Sequence, residues 1–257
     1  MNKYKILLIT LASFLTGCNI HEVEPVTDNP YFSLTEIERY YINVSEPSGL
    51  SFSADSSFLW TVCDKRRKVY ALDFTGKILN SFYIKDPNLD LEGICADPDG
   101  LHLWVINEES REIIRCDLEG NILFRKRLLS GEDNSGLEGI CYNKADSVFY
   151  LLKEKRPGLL LTVDSGYNVI KTQSLSFAAD YSGMDYSSRY AALWIVSDQS
   201  QTLTLFHSDS GVLAQVDLNL DNIEGVAVDE THGLLYCVSD SQSELYVYSL
   251  VFLKSMK

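Results

Sequence analysis

Basic residues are scarce in this sequence. Its 22 lysines and arginines stand against 36 aspartates and glutamates, which gives a formal net charge of −14 at pH 7. Because nucleic-acid binding needs clustered positive charge, we expect no nucleic-acid partner. A negative surface suits cations or basic partners, although it also serves solubility alone.

Signatures of catalysis and of metal–thiolate sites are missing as well. The chain contains no GxSxG, HExxH or P-loop pattern, and no CxxC or Cys/His spacing. Five cysteines lie inside apolar strand patterns: Cys63, Cys95, Cys116, Cys141 and Cys237. Their odd number does not indicate a disulfide framework, so we predict buried free thiols, with one disulfide left open.

Long apolar runs are confined to the beginning of the chain. Two lysines precede an apolar run from Ile6 to Leu15, and LTGC occupies positions 15–18. The run is too short to cross a bilayer comfortably. The pattern resembles a bacterial lipoprotein signal, with cleavage before Cys18 and lipid on its thiol and new amino group. An ordinary secretory signal or an anchor helix is the alternative.

The lipoprotein interpretation divides the chain into three parts. Residues 1–17 are the signal peptide, 18–36 are the lipidated cysteine with a polar tether, and 37–257 are the folded domain. Asn19, rather than an aspartate, follows Cys18, which favours the outer membrane. We therefore expect a protein held at the cell envelope by lipid on Cys18.

What the sequence does contain is a repeat. Glycines recur at positions 49, 93, 139, 183 and 225, with spacings of 44, 46, 44 and 42 residues. They lie in the apolar segments PSGLSF, LEGICA, LEGICY, YSGMDY and IEGVAV, and second segments follow that read LWTVCD, LWVINE, FYLLKE, LWIVSD and LYCVSD. Two more alternating segments complete four of the five units. Repeated units of four short strands predict a β-propeller.

The fifth unit lacks its fourth strand, and one strand, IERYYINV (37–44), remains unassigned before the first unit. Lending this strand to the last blade closes the ring and removes an open sheet edge. We therefore predict an all-β propeller of five four-stranded blades closed by the N-terminal strand. Six blades are the minor alternative.

Acidic residues fall at two repeated positions. In a propeller the first strand of each blade lines the central channel, and the start of strand one lies on the same face as the end of strand two. An inner ring is expected at Ser48, Glu92, Glu138, Ser182 and Glu224, and a second ring at Asp64, Glu108, Glu154, Asp198 and Asp240. Loops on this face add Asp86, Asp90, Glu132, Asp133, Asp180 and Asp221.

Converging carboxylates raise one another's pKa or recruit a cation. Oxygen ligands without histidine suit Ca²⁺ better than zinc, so we predict Ca²⁺ bound by Glu92, Glu138, Glu224, Ser48 and Ser182. The alternative is structural: each glutamate accepts backbone N–H groups of a neighbouring blade. The glycine after each acid is expected to allow close approach of the inner strands.

Basic residues also occur at this mouth, at Lys65, Arg66, Arg67, Lys68, Arg111, Lys155 and Arg156. Salt bridges with the acidic rings are one interpretation. The other is an anion-binding site formed by Arg66, Arg67, Arg111 and Arg156 beside a bound cation.

The repeated [LI]EG[IV] and LWxVxD/E segments resemble those of the SdiA-regulated family of bacterial envelope proteins, over nearly all of residues 37–250. The resemblance implies a β-propeller and makes calcium at the mouth of the ring plausible. Ser48 and Ser182 depart from the acidic pattern, so the inner ring is not fully acidic.

These observations leave three functions open. The first is a monomeric, Ca²⁺-binding envelope module that holds an unknown small molecule or protein. The second is a metal-dependent hydrolase of phosphoesters or lactones, with Glu92, Glu138 and Glu224 as ligands and an outer acid as general base. The third is a structural domain with no ligand in the channel.

Overall fold

The computed structural model describes residues 29–131 and 135–253, which form five four-stranded antiparallel sheets. The strand β1 (Phe32–Tyr41) precedes the first blade. Blade 1 contains β2 (Pro47–Phe52), β3 (Leu59–Cys63), β4 (Lys68–Leu72) and β5 (Ile78–Tyr83), with a 3₁₀ turn, η1 (Asp64–Arg66), after β3. Blade 2 contains β6 (Leu91–Ala96), β7 (His102–Asn107), β8 (Glu112–Asp117) and β9 (Ile122–Arg127).

Blade 3 contains β10 (Leu137–Asn143), β11 (Val148–Lys153), β12 (Gly158–Val163) and β13 (Val169–Leu175). Blade 4 contains β14 (Gly183–Ser187), β15 (Ala192–Ser197), β16 (Thr202–His207) and β17 (Gly211–Asp217). Blade 5 contains β18 (Ile223–Asp229), β19 (Leu234–Ser239) and β20 (Glu244–Phe252), and β1 completes it. The predicted five-bladed propeller is confirmed. Nowhere in the described part of the chain is there a helix long and apolar enough to cross a membrane.

Aspartates shape the hairpins between the third and fourth strands. In blade 1 the Asp73 carboxylate accepts the backbone N–H groups of Thr75 and Lys77. In blade 3 Asp164 does the same for Gly166 and Asn168. Because a carboxylate oxygen replaces a backbone acceptor in such turns, the short Asp-rich segments reverse the chain without a longer loop.

The ring closes through β1, which pairs antiparallel with β20 from Phe32 opposite Phe252 to Tyr41 opposite Glu244. The N-terminal closure is confirmed, but the predicted bounds are wrong. Residues 32–36, assigned from sequence to the tether, belong to β1, and 42–44 lie outside it. Ile42 is buried beside Leu50 in the core between blades 5 and 1. After β1 the chain therefore turns from the edge of the blade 5 sheet into this core. The predicted signal and Cys18 lie outside the described residues.

The core consists of five hydrophobic clusters, each between two successive blades. Between blades 2 and 3, Trp104 packs edge-to-face on Phe149 with ring centroids 4.6 Å apart. Between blades 4 and 5, Trp194 packs on Phe32 at 4.8 Å. The five described cysteines are buried free thiols, as predicted. Apolar contact between blades therefore holds the inner strands β2, β6, β10, β14 and β18 around the channel.

Candidate metal centre at the channel mouth

The repeated Glu-Gly pair forms a β-bulge at the channel mouth. The pairing of first and second strands changes register between Leu91 and Ile94, and the same shift occurs at the start of β2, β10 and β18. A bulge inserts an extra residue and redirects the side chain before it. In blades 2, 3 and 5 the side chain placed there is a glutamate.

The glycine of the pair is explained by crowding between inner strands. A Cβ added to Gly93 would lie 2.5 Å from the carbonyl oxygen of Glu138, on the next blade. At Gly49 it would lie 2.5 Å from the carbonyl oxygen of Glu92, and the φ angle there is +58°. Both positions exclude a side chain, so the predicted close approach of the inner strands is confirmed at Gly49 and Gly93.

Both predicted acidic rings line one cavity of about 300 Å³. Its wall contains Ser48, Glu92, Glu138, Ser182, Glu224, Asp64, Glu108, Glu154, Asp198 and Asp240, together with Glu46, Pro47, Lys155, Asp180 and Gln199. The strand directions therefore place the acids where the sequence predicts them. Lys155 is at the mouth as predicted, whereas Glu46, Pro47 and Gln199 were not predicted there.

Three carboxylates form a compact group, which we call the Glu138 triad. It consists of Glu108 after β7, Glu138 at the start of β10 and Glu154 after β11. One oxygen from each lies within 4.8 Å of the others. The triad thus joins blade 2 to blade 3, and it combines one inner-ring acid with two outer-ring acids.

Glu138 is the deepest member of the triad and exposes only 7% of its surface. Among the described residues none donates a hydrogen bond to its carboxyl group. Burial, reinforced by the charges of Glu92, Glu108 and Glu154, raises the pKa of Glu138 well above its usual value. By contrast, Glu108 accepts the backbone N–H of Gly136 at 3.0 Å.

A second group contains Asp64, Asp90 and Glu92, again with oxygens within 4.8 Å of one another. This group already has partners. Ser48 donates its hydroxyl to Glu92. Burial first, and then a carboxyl–carboxyl hydrogen bond with Asp90, raises the pKa of Asp64 to about 7. The Ser48 hydroxyl therefore compensates part of the charge of this group.

The rest of the predicted inner ring belongs to neither group. Burial, with the charges of Asp198 and Asp240, raises the pKa of Glu224 to about 8. Ser182 donates its hydroxyl to the carbonyl oxygen of Ile223. The five predicted inner-ring ligands thus line one cavity without forming one ligand set, since Glu92 groups with Asp64 and Asp90 and Glu138 with Glu108 and Glu154.

The arginines predicted for anion binding lie outside the cavity lining. These are Arg66, Arg67, Arg111 and Arg156, and the cation that reaches the cavity is Lys155. Arg67 donates to the carbonyl oxygen of Pro87 at 2.7 Å. Arg111 is buried, with 2% of its surface exposed. Lys65 forms an ion pair with Glu46.

The predicted loop acids divide by position. Asp180 lines the cavity and accepts the Ser197 hydroxyl and the Gln199 backbone N–H. Asp86 pairs with Arg125 at 2.8 Å, away from the cavity lining. Asp221 accepts a hydrogen bond from the Gln201 side-chain amide and also lies outside the cavity lining. Glu132 and Asp133 lie outside the described residues.

A third acidic group, away from the cavity lining, contains Asp97, Asp99 and His102. It is already occupied by a protein cation. The Arg115 guanidinium lies 2.7 Å from the Asp97 carboxylate and 3.0 Å from that of Asp99. Arg115 contacts both carboxylates of this group, whereas in the Glu138 triad the Lys155 ammonium group pairs with Glu154.

A model of the SdiA-regulated family matches residues 34–249, which cover all five blades. The chain belongs to the SdiA-regulated family. The predicted family is thereby confirmed, and the family model spans the inner strands, the Glu138 triad and the closing strand from its third residue onward.

Solved structures similar to this SdiA-regulated chain are propellers of low sequence identity. A glutaminyl cyclase of Myxococcus xanthus has a TM-score of 0.66 at 14% identity, over 86% of this chain and 97% of that chain. A streptogramin B lyase has a TM-score of 0.50 at 15% identity, over 86% and 74% of the two chains. A chain of a nidogen/laminin complex has a TM-score of 0.54 at 13% identity, over 81% and 86%. At such identities the similarity shows the fold alone.

Proposed function

We propose that this SdiA-regulated propeller is a Ca²⁺-binding module whose cation is held at the channel mouth by the Glu138 triad. The observation that carries the proposal is Glu138, which exposes 7% of its surface, lines the cavity beside two other carboxyl groups and accepts no hydrogen bond from the described residues. A bound cation would compensate the Glu138 carboxylate, whereas the Lys155 ammonium group pairs with Glu154.

The available donors suit Ca²⁺ in particular. The triad offers carboxylate oxygens from three separate elements, and the cavity of about 300 Å³ leaves room for water ligands. Ca²⁺ takes six to eight oxygen ligands at irregular angles, whereas Mg²⁺ requires near-ideal octahedral geometry. The Asp64 group is the weaker candidate, because the Ser48 hydroxyl already donates to Glu92.

The module would present this cation to a small molecule or a protein at the mouth. We place it at the cell envelope, attached to the outer membrane by lipid on Cys18, from the LTGC segment of the sequence. Metabolic labelling with a palmitate analogue tests the attachment. Label and membrane association should be lost in Cys18→Ser, and label retained in that variant would contradict it.

Cation binding is tested by calorimetric titration of metal-free protein with Ca²⁺ and by thermal melting in Ca²⁺ or EGTA. We expect saturable binding and a higher Tm in Ca²⁺, because a ligand that binds only the folded state stabilises it. Glu138→Gln should remove the Ca²⁺ effect on Tm. Glu119→Gln, the same change in an exposed turn outside the cavity, is the matched control and should retain it.

An unchanged Tm and no binding heat in the unaltered protein would contradict the proposal. Hydrolysis, the alternative predicted from the sequence, is assayed on the same samples with generic phosphoesters and lactones. If the protein hydrolyses a substrate only in Ca²⁺ and Glu138→Gln abolishes this activity, the function is catalysis and not binding alone.

A further inference from the structure

Two lysines flank Glu154 in the sequence: Lys153 donates to the Ser135 hydroxyl and the Lys155 carbonyl oxygen, and Lys155 contacts the Glu138 triad. Lys155 follows Glu154 directly, lines the cavity, and forms an ion pair with the Glu154 carboxylate. The side chains of Lys155 and Glu154 expose 25% and 18% of their surfaces. An ammonium group therefore already contacts one ligand of the proposed Ca²⁺ site.

The repeat shows that this lysine is not required by the fold. The residue after the outer-ring acid is Lys65 in blade 1, Glu109 in blade 2, Lys155 in blade 3, Gln199 in blade 4 and Ser241 in blade 5. Gln199 lines the same cavity as Lys155. Lys65 is 68% exposed, pairs with Glu46 and lies outside the cavity lining. A neutral side chain is therefore compatible with the backbone at this position.

We propose that Lys155 is a built-in competitor for the cation site: its ammonium group pairs with Glu154 in the metal-free protein and leaves when a divalent cation binds. The inference rests on the proposed function, and it adds the selectivity of the site. A divalent ion brings more charge than the ammonium group it displaces, whereas Na⁺ or K⁺ brings no more. The site thus accepts divalent cations and rejects monovalent ones.

The physical basis is that two cations cannot share the Glu154 carboxylate at close range without strong repulsion. A lysine ammonium is a point charge on a flexible four-carbon stem, so it can turn to solvent at the edge of a partly open cavity. Glu138, by contrast, is too deeply buried to leave the site, with 7% of its surface exposed. We therefore expect the Lys155 side chain, and not Glu138, to leave the site when a divalent cation binds.

The first test compares Lys155→Gln with Lys65→Gln, which makes the same change at the equivalent position of blade 1. In Lys155→Gln the Ca²⁺ dissociation constant should fall about tenfold or more, because the competing charge is gone. Na⁺ at physiological concentration should now weaken Ca²⁺ binding measurably. Lys65→Gln should change the constant about twofold at most, since that lysine is exposed and its charge is screened.

The second test follows the Lys155 side chain itself. The unaltered protein is treated with an amine-acetylating reagent in Ca²⁺ or in EGTA, and the modification of each lysine is measured by mass spectrometry. Lys155 should be acetylated faster in Ca²⁺, because the displaced ammonium group points to solvent. Lys65 is the internal reference and should not change.

The outcomes separate this inference from the proposed function. If Ca²⁺ binds, yet Lys155→Gln binds it no more tightly or acetylation of Lys155 is unchanged or slower, the competitor role is wrong and Ca²⁺ binding stands. If only Lys155→Gln binds Ca²⁺, the competitor role is supported in its strongest form. If neither protein binds Ca²⁺, both the proposed function and this inference are wrong.

Discussion

Gly93 on blade 2 and Glu138 on blade 3 are in such close contact that a Cβ on Gly93 would lie 2.5 Å from the Glu138 carbonyl oxygen. The glycine of one blade thus determines how near the glutamate backbone of the next blade can come. Side-chain chemistry at the mouth depends on this backbone contact.

Gly93→Ala should therefore lower the free energy of unfolding by about 3 kcal/mol, because two inner strands must separate to admit the methyl group. Gly139→Ala is the matched control at the same repeat position. Its new Cβ would lie 3.2 Å from side-chain atoms of Leu152 and Met184 and 3.3 Å from the Met184 backbone nitrogen, so a loss of about 1 kcal/mol is expected. Urea unfolding measures both, and equal losses would contradict the crowding argument.

The metal-free protein should lose stability as pH rises from about 4.5 to 8. Burial raises the pKa of Glu224 to about 8, so its folded form keeps a proton that the unfolded chain releases near pH 4.5. Protons bound in excess by the folded state make stability fall with pH, by at most about 1.4 kcal/mol per pH unit for one such group.

Melting in EGTA at a series of pH values tests this dependence. Glu224→Gln should flatten the decline, because glutamine cannot release a proton. The exposed Glu119→Gln should leave the slope unchanged. A Tm that rises between pH 5 and 8 without Ca²⁺ would show that the mouth carboxyls ionise without penalty in the folded state.

Phe32→Ala should destabilise the ring by about 3–5 kcal/mol. Phe32 exposes 1% of its surface and packs on Trp194 of the neighbouring blade at 4.8 Å. Tyr41, at the other end of β1, is 73% exposed, so Tyr41→Ala should change stability by about 0.5 kcal/mol or less. Chemical denaturation of both variants measures the two losses of stability. It thereby shows whether β1 stabilises the ring through its buried residues or equally through its exposed ones.

The blade count and the side of the ring that carries the acids could be predicted from the sequence. A spacing near 44 residues counts the units, and the antiparallel order of strands decides which ends share a face. The repeat spacing and the strand order can both be read from the sequence alone. The N-terminal closure followed from the same count.

The grouping of ligands could not be predicted in this way. The triad joins Glu108 to Glu138 across two blades, and Asp90 joins Asp64 from a loop. Such contacts are decided by bulges and by ångström-scale approach between blades, which no repeat pattern specifies. For the same reason Lys155, rather than Arg66 or Arg156, reaches the cavity.

The pairing of Phe32 with Phe252 has a consequence for synthesis. Among the strands that the structure describes, the first to be synthesised pairs with the last. Until that partner is made, blade 5 is incomplete and the Phe32 side chain has no closed core to enter. Ring closure is therefore a non-local step of folding, and it depends on an intact β20.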